Sequence, residues 1–205
     1  MVESIVHVVD DDESFLMAMS RLLRASGFAA RTYSSAREFL SERCVDKPGC
    51  VVVDLHMPDL GGLDLQAALG RTPYPLPVLF LTGHADTAST VRAMRGGAED
   101  FLEKTAAKEV LLEAVRRALV RDRQDRDARS HRDELRARFA AISAREHEVL
   151  CHVLRGRLNK QIAGDLGIHE RTVKVHRKSI MTKLSVRSVA ALAQLSQEAG
   201  LPAYS

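Results

Sequence analysis

Five residues in the first half of this 205-residue chain carry chemistry. Asp10 and Asp11 follow the apolar run Ile5–Val9, Asp54 follows Cys50–Val53, Thr82 follows Val78–Leu81, and Lys104 lies just beyond Glu99–Leu102. Brought together, they would supply three carboxylates, a hydroxyl and an ammonium. Carboxylates at close quarters repel one another and one pKa rises, unless a cation neutralises them. All-oxygen ligation completed by water suits Mg²⁺ (or Mn²⁺), which prefers one or two carboxylates plus phosphate oxygens. Phosphoryl transfer then needs an aligned nucleophile and positive charge on the oxygens, and Asp54 can be that nucleophile.

The elements around these residues predict that they meet. Strands are expected at Ser4–Val9, Ala29–Tyr33, Cys50–Asp54, Pro77–Thr82 and Glu99–Leu102, with helices near 13–26, 35–43, 62–70, 86–96 and from 107 onward. The first helix carries the stripe Phe15, Met19, Leu22, Leu23. Strands three and four are almost wholly apolar, as expected of parallel strands covered on both faces. Five β/α units imply a doubly wound α/β sheet, which binds ligands beyond the carboxyl ends of its strands. Two other readings stay open here. Asp10–Asp12 could be an acidic helix start, with Asp12 as cap, and Asp10-x-Asp12-x-Ser14 loosely matches a phosphatase nucleophile loop.

The segments V-V-D-D, V-D-L-H-M-P-D-L-G-G, L-F-L-T-G-H and G-G-A-E-D-F-L-E-K resemble the receiver domain of two-component response regulators, over residues 1–120. The resemblance implies a flavodoxin-like five-stranded parallel sheet. It implies that Asp54 takes a phosphoryl group from a sensor histidine kinase, and that Asp10, Asp11, Asp54 and the His56 backbone carbonyl hold Mg²⁺. Thr82 and Lys104 would contact the phosphoryl oxygens, and Phe101 would be the aromatic whose rotamer follows Thr82. One position departs: receivers follow the lysine with proline through a cis bond, and this chain has Thr105. Because a cis bond before a non-proline costs about 3 kcal/mol, a trans Lys104–Thr105 bond is expected. His56 and His84, two residues beyond Asp54 and Thr82, could flank the approach of water or simply be solvated.

Residues 121–138 hold seven Arg and five acids without Gly or Pro. Acid-before-base pairs Asp122/Arg126, Asp125/Arg129 and Glu134/Arg138 predict a solvated helical linker continuing the fifth helix.

Ser143-Ala-Arg-Glu146 is a capping box ahead of Val149, Leu150, Val153 and Leu154. Asn159 can cap a second helix, which stops at Gly167, and a third begins around Glu170, giving a helix-turn-helix. In that third helix Val173, His176 or Arg177, Ile180 and Leu184 form the buried stripe, so Lys174, Val175, Lys178 and Thr182 face outward. Lys174, Val175 and Lys178 suit base edges in a major groove, whereas Arg171, Thr172, Arg177, Lys183 and Asn159 or Lys160 suit phosphates. A basic protein-binding four-helix module fits the periodicity as well. S-A-R-E-H-E-V-L and G-R-L-N-K-Q-I-A-G-D-L-G-I-H-E-R-T-V-K-V-H-R-K-S-I-M-T-K-L resemble the LuxR-type DNA-binding domain, and the whole chain is similar to NarL/FixJ response regulators. His169 stands where that family has a Ser or Thr cap. The resemblance implies that Arg187–Ala199 is a dimerisation helix, with Leu192 and Leu195 as contacts or as closure of the domain's own core.

Charge agrees with this division. Residues 1–120 carry 13 Lys and Arg against 17 Asp and Glu, and residues 121–205 carry 17 against 10. Nine bases and two acids between Arg155 and Arg187 are the footprint of a polyanion. Three scattered cysteines, Cys44, Cys50 and Cys151, exclude a disulfide framework and read as core thiols. No unbroken apolar run is longer than Val189–Ala193, far short of the roughly 18 residues of a membrane span. The expectation is a cytoplasmic transcription regulator, not an enzyme, with a receiver at 1–120, a linker at 121–138 and an all-α DNA-binding domain at 139–205. Its partners would be a histidine kinase, promoter DNA, a second copy upon phosphorylation and RNA polymerase.

Overall fold

Five apolar runs alternating with helical stripes give five β/α units. A computed structural model describes residues 4–42, 47–84 and 86–200, so Cys44 lies outside the described residues. The elements are β1 (Ile5–Val9), α1 (Glu13–Ala25), β2 (Ala29–Tyr33), α2 (Ala36–Glu42), β3 (Gly49–Val53), α3 (Gly62–Gly70), β4 (Val78–Thr82), α4 (Thr87–Arg95), β5 (Asp100–Glu103) and α5 (Lys108–Ala140). After α5 come α6 (Ala144–Leu154), α7 (Asn159–Leu166), α8 (Glu170–Lys183) and α9 (Val189–Glu198). The strands form one parallel sheet in the order β2-β1-β3-β4-β5. Its winding reverses between β1 and β3, where doubly wound sheets place their ligands.

Period-two alternation sorts the strand residues between two cores. Val6, Val8, Cys50, Val52, Leu79 and Leu81 pack with α1 and α5, whereas Val9, Val51, Val53, Val78 and Phe80 pack with α2, α3 and α4. The expected α1 stripe holds at Met19 and Leu23 and gains Leu16. Leu16, Met19 and Leu23 are buried, while Phe15 and Leu22 are only partly covered, because Phe15 turns its ring under the Lys104 ammonium, 4.4 Å from the centroid. Strand and helix limits otherwise differ from expectation by a residue or so, as terminal pairing commonly does.

The chain divides into two compact units, Met1–Arg126 and Asp127–Ser205, and the division falls inside α5. Residues 121–138 are helical and mostly exposed, as expected, with buried anchors at Asp122 and Leu135. Asp122 is 3 % exposed; it accepts from the Gly49 amide at 2.9 Å and pairs with Arg126 Nε at 2.9 Å. Leu135 and Phe139 are buried in the core of the second unit with Val149, Leu150, Val173, Ile180 and Leu184. Charged residues outnumber apolar ones along this segment, yet two apolar residues four apart, Leu135 and Phe139, suffice to bury one face at its end. Of the other expected pairs, Arg138 instead donates to the Leu184 carbonyl at 2.6 Å, and Arg121 pairs with Asp125 at 3.8 Å.

Leu135, 1 % exposed, therefore belongs energetically to the second unit. Leu135→Ala should destabilise that unit by about 2–5 kcal/mol. Amide hydrogen exchange in the full chain should speed up at Val149–Val153 and Ile180–Leu184 and stay unchanged in β1, β3 and β4; equal exchange in the second unit would contradict this assignment.

Candidate functional site

Each candidate residue of the first unit stands at or just beyond the carboxyl end of a strand, where the ladder stops and the side chain is released from the core. Asp10 follows β1, Asp54 follows β3, Thr82 ends β4 and Lys104 follows β5. Asp10 is 1 % and Asp54 8 % exposed. Lys104 Nζ lies 2.6 Å from Asp10 Oδ2 and 3.4 Å from Asp54 Oδ2. Its backbone amide donates to the Thr82 carbonyl at 2.8 Å, tying β5 to β4 at the same level. The Lys104–Thr105 peptide is trans, since the described residues contain no cis bond.

Backbone amides hold the carboxylates in place. Asp10 Oδ1 accepts from the Asp12 amide at 3.0 Å, and Asp54 Oδ1 accepts from the Leu55 amide at 2.7 Å. Burial pushes the Asp10 pKa up, against the opposing pull of Lys104 and of the Asp12 amide. Burial pulls Lys104 down, but the carboxylates of Asp10 and Asp54 outweigh it and the ammonium ends above its ordinary value. Asp12 caps α1 by accepting from the Ser14 and Phe15 amides at 2.9 and 3.1 Å. Asp12 is thus the helix cap that the acidic start of α1 implied.

Oxygen atoms of Asp10, Asp11 and Asp54 come within 4.8 Å of one another. Asp10 Oδ2 is buried and has the Lys104 ammonium as its ion-pair partner. A hard donor set of three clustered carboxylates fits a divalent cation. Thr82, 1 % exposed, has its hydroxyl against the His84 backbone, 3.3 Å from the carbonyl oxygen. Phe101 is half-buried and stacks on Phe80 at 5.7 Å between centroids. His56 and His84 are both exposed.

Two contributors escaped the sequence reading. Phe15 beneath Lys104 looked like one more core residue. Gly62 opens α3 so close to β3 that a Cβ there would fall 2.3 Å from the Asp54 carbonyl oxygen; the G-G pair carried the signal without its partner.

In the second unit the capping box forms as expected: Ser143 Oγ accepts from the Glu146 amide at 3.3 Å, and Glu146 Oε2 accepts from the Ser143 amide at 2.8 Å. Asn159 does not cap α7. Leu158 holds the cap position, its amide donating to Gln161 Oε1 at 2.9 Å, and Asn159 Oδ1 accepts from Arg177 at 3.0 Å. Gly167 ends α7 at φ 63°, the left-handed turn that a glycine adopts without strain. His169 holds the cap position of α8 with no side-chain bond. On α8, Val173 and Ile180 are buried while Arg171, Lys174, Val175 and Lys178 are exposed and Thr172 is half-buried. Lys160 on α7 is exposed too. Lys183 is not free, because its ammonium sits 2.7 Å from Glu146 Oε2 and 3.2 Å from the Ala141 carbonyl oxygen. Leu192 is 1 % exposed and closes the core, with Leu195 packed against it; this corrects Leu192 as a surface contact, since a side chain with no exposed area cannot meet a second chain. Of the thiols, Cys50 is buried and Cys151 half-buried.

A parallel sheet with an acidic crevice facing a lysine, together with a helix-turn-helix unit, is the combination of a receiver and a DNA-binding module. Family comparison agrees: residues 6–116 match the response regulator receiver domain, and residues 140–196 match the bacterial regulatory proteins of the luxR family. The chain is 41% identical over 201 residues to Nodulation protein W of Bradyrhizobium diazoefficiens, covering 98% of this chain and 88% of that protein. It is 38% identical over 203 residues to the transcriptional regulatory protein FixJ of Rhizobium meliloti, covering 98% of each. Among solved structures, the response regulator StyR matches with TM-score 0.83 and 43% identity, over 96% of this chain and 99% of that one. The chain belongs to the NarL/FixJ-type two-component response regulators, a family of transcription regulators that joins a receiver to a LuxR-type DNA-binding domain. No helix among the described residues is long and apolar enough to cross a membrane.

Glu146 is 5 % exposed, and Lys183, then Ser179, hold its carboxyl down at about 2. A depressed carboxyl stabilises the fold above its ordinary pKa of 4.5, and the contribution fades as pH falls from there toward about 2. The stability gap between wild type and Glu146→Gln should therefore shrink over that interval in urea titrations followed by far-UV circular dichroism. A gap independent of pH would show that the carboxylate charge contributes nothing.

Proposed function

We propose that Asp54 is the phosphoryl acceptor and that its phosphorylation controls binding of the second unit to promoter DNA. The observation that carries this is the convergence of Asp10, Asp54 and Lys104, with Lys104 Nζ within 3.4 Å of both carboxylates, at the strand ends where Thr82 also lies. An Asp54 carboxylate oxygen attacks the phosphorus of a kinase phosphohistidine. A P–O bond forms, the P–N bond breaks, and the departing ring nitrogen keeps the electron pair. Asp10, Asp11, Asp54 and the His56 carbonyl are the residues to hold Mg²⁺ (or Mn²⁺), which supplies charge neutralisation between the carboxylates and the phosphoryl oxygens. Lys104 donates its ammonium to a phosphoryl oxygen and Thr82 its hydroxyl, turning away from the His84 backbone. Phe101 then follows Thr82, and the surface formed by α4, β5 and α5 changes shape and pairs two chains.

Pairing delivers two helix-turn-helix units to adjacent half-sites, which converts weak single-unit binding into specific binding. Lys174, Val175 and Lys178 face base edges, while Arg171, Thr172 and Lys160 face phosphates. Arg177, hydrogen-bonded to Asn159, keeps its charge for phosphates along with Asn159, whereas Lys183 is withdrawn by Glu146. Leu195 stays in the proposal as a contact between copies, without Leu192. A histidine kinase, a second copy, promoter DNA and RNA polymerase are the partners, and the cytoplasm is the compartment.

Acetyl phosphate with Mg²⁺ should label the wild-type chain, but not Asp54→Asn, on phosphate-affinity gels, and the label should raise retention of duplex DNA selected by the protein from a random pool. Labelling of Asp54→Asn, or equal retention before and after labelling, would overturn the reading. Lys174→Ala should weaken binding to the selected duplex by about 1–3 kcal/mol and leave a scrambled duplex nearly unaffected in equilibrium titrations; a uniform loss on both would make Lys174 a phosphate contact.

A further inference from the structure

One carboxylate ties α8 to the start of α6. Glu146 Oε1 accepts from Ser179 Oγ at 2.6 Å, and Oε2 accepts from Lys183 Nζ at 2.7 Å. Ser179 and Lys183 are four residues apart on α8, one turn along the same face. The Ser143 amide adds a third donor, at 2.8 Å from Oε2. The capping box accounts only for this last bond.

Apolar residues of both helices, Val149, Leu150, Val153, Val173 and Ile180, share one core. Burial of Val173 and Ile180 fixes which face of α8 points inward, but apolar contact is non-directional and leaves small rotations and slides about that orientation weakly opposed. Such a small rotation changes the angle at which Lys174 and Val175 face outward. The hydrogen bonds of the Glu146 carboxylate to Ser179 and Lys183 add directional contacts at two points one turn apart. They also consume a positive charge. Lys183 stands on the same helix as the proposed DNA contacts and, unpaired, would meet any phosphate within its reach.

We propose that Glu146 is a specificity-determining positioning residue: by holding Ser179 and Lys183 it sets the rotation at which α8 presents Lys174, Val175 and Lys178, and keeps the Lys183 charge off the DNA backbone. This rests on the reading of α8 as the recognition helix. Its two halves have separate signatures. Loss of rotation control lowers the preference for the selected sequence, whereas release of Lys183 strengthens sequence-independent binding and its salt dependence.

The test uses the full-length phosphorylated chain, a duplex selected by the wild type from a random pool, and a scrambled duplex, each titrated across a KCl series. Glu146→Gln should bind the scrambled duplex several-fold more tightly and lower the selected-to-scrambled ratio. Its slope of log K against log salt should steepen by about 0.9 per released lysine. Adding Lys183→Met to Glu146→Gln should restore the slope and leave the ratio low. Ser179→Ala removes one arm without freeing a charge, so the ratio should fall with the slope unchanged; this variant also decides the matter should Glu146→Gln fail to fold, as judged by its thermal melt. If Lys174→Ala weakens selected binding while Glu146→Gln and Ser179→Ala leave both slope and ratio at wild-type values, the positioning role is wrong and the recognition-helix reading stands. If the wild type shows no preference for any duplex, the recognition-helix reading fails and takes this proposal with it.

Discussion

The first unit depends on the crowding of like charges at the strand ends. Asp10 and Asp54 are both buried, and Asp11 joins them within 4.8 Å. Such a cluster is costly unless opposite charge enters it. The fold supplies one ammonium, from Lys104, which reaches Asp10 and Asp54 across strand ends brought together by the β1-β3-β4-β5 order. A single ammonium cannot neutralise three carboxylates. The crevice is thus short of positive charge, which a hard cation could supply. The backbone works to the same end: glycine at position 62 lets α3 approach the Asp54 carbonyl, and amides of Asp12 and Leu55 fix one oxygen of each carboxylate.

The α5 helix divides differently in sequence and in space. Its 33 residues form one continuous helix, yet Asp122 and Arg126 serve the first unit while Leu135 and Phe139 serve the second. Continuity of a helix is a local property, set by propensity and i,i+4 pairing. Membership of a unit is set by which side chains lose contact with water. Residues 121–138 have strong local signals and few apolar residues, so local reasoning found the helix and missed both attachments.

That contrast explains what could be read from the chain. Strands with period-two apolar patterns, helices with stripes and caps such as Asp12 and Ser143 were legible because each rests on residues a few positions apart. The set Asp10, Asp54, Thr82 and Lys104 was legible for another reason: a parallel sheet brings all its strand ends to one edge, so topology converts distant positions into neighbours. Contacts between elements that topology does not order were illegible. Phe15 under Lys104, Gly62 against Asp54, Arg177 on Asn159 and Ser179 with Lys183 on Glu146 all depend on how two helices or loops happen to face, and no spacing along the chain announces them.

Charge in the second unit shows the same limit in quantitative form. The segment from Arg155 to Arg187 holds nine bases, but their number overstates what a polyanion would meet. Lys183 faces the buried Glu146 carboxylate, which cancels its charge. Lys174 also has a partner, Glu170 at 3.2 Å, with both side chains well exposed at 65 % and 46 %. An exposed pair of that kind is worth at most about 1 kcal/mol and gives way to a better ligand. Glu146 differs because it is buried and has several donors, so releasing Lys183 would leave an uncompensated carboxylate inside the unit. Two lysines nine residues apart on one helix thereby differ: Lys174 can exchange its exposed acid for another anion, and Lys183 is held by a buried one. The charge that matters for recognition is the part that the fold leaves exchangeable.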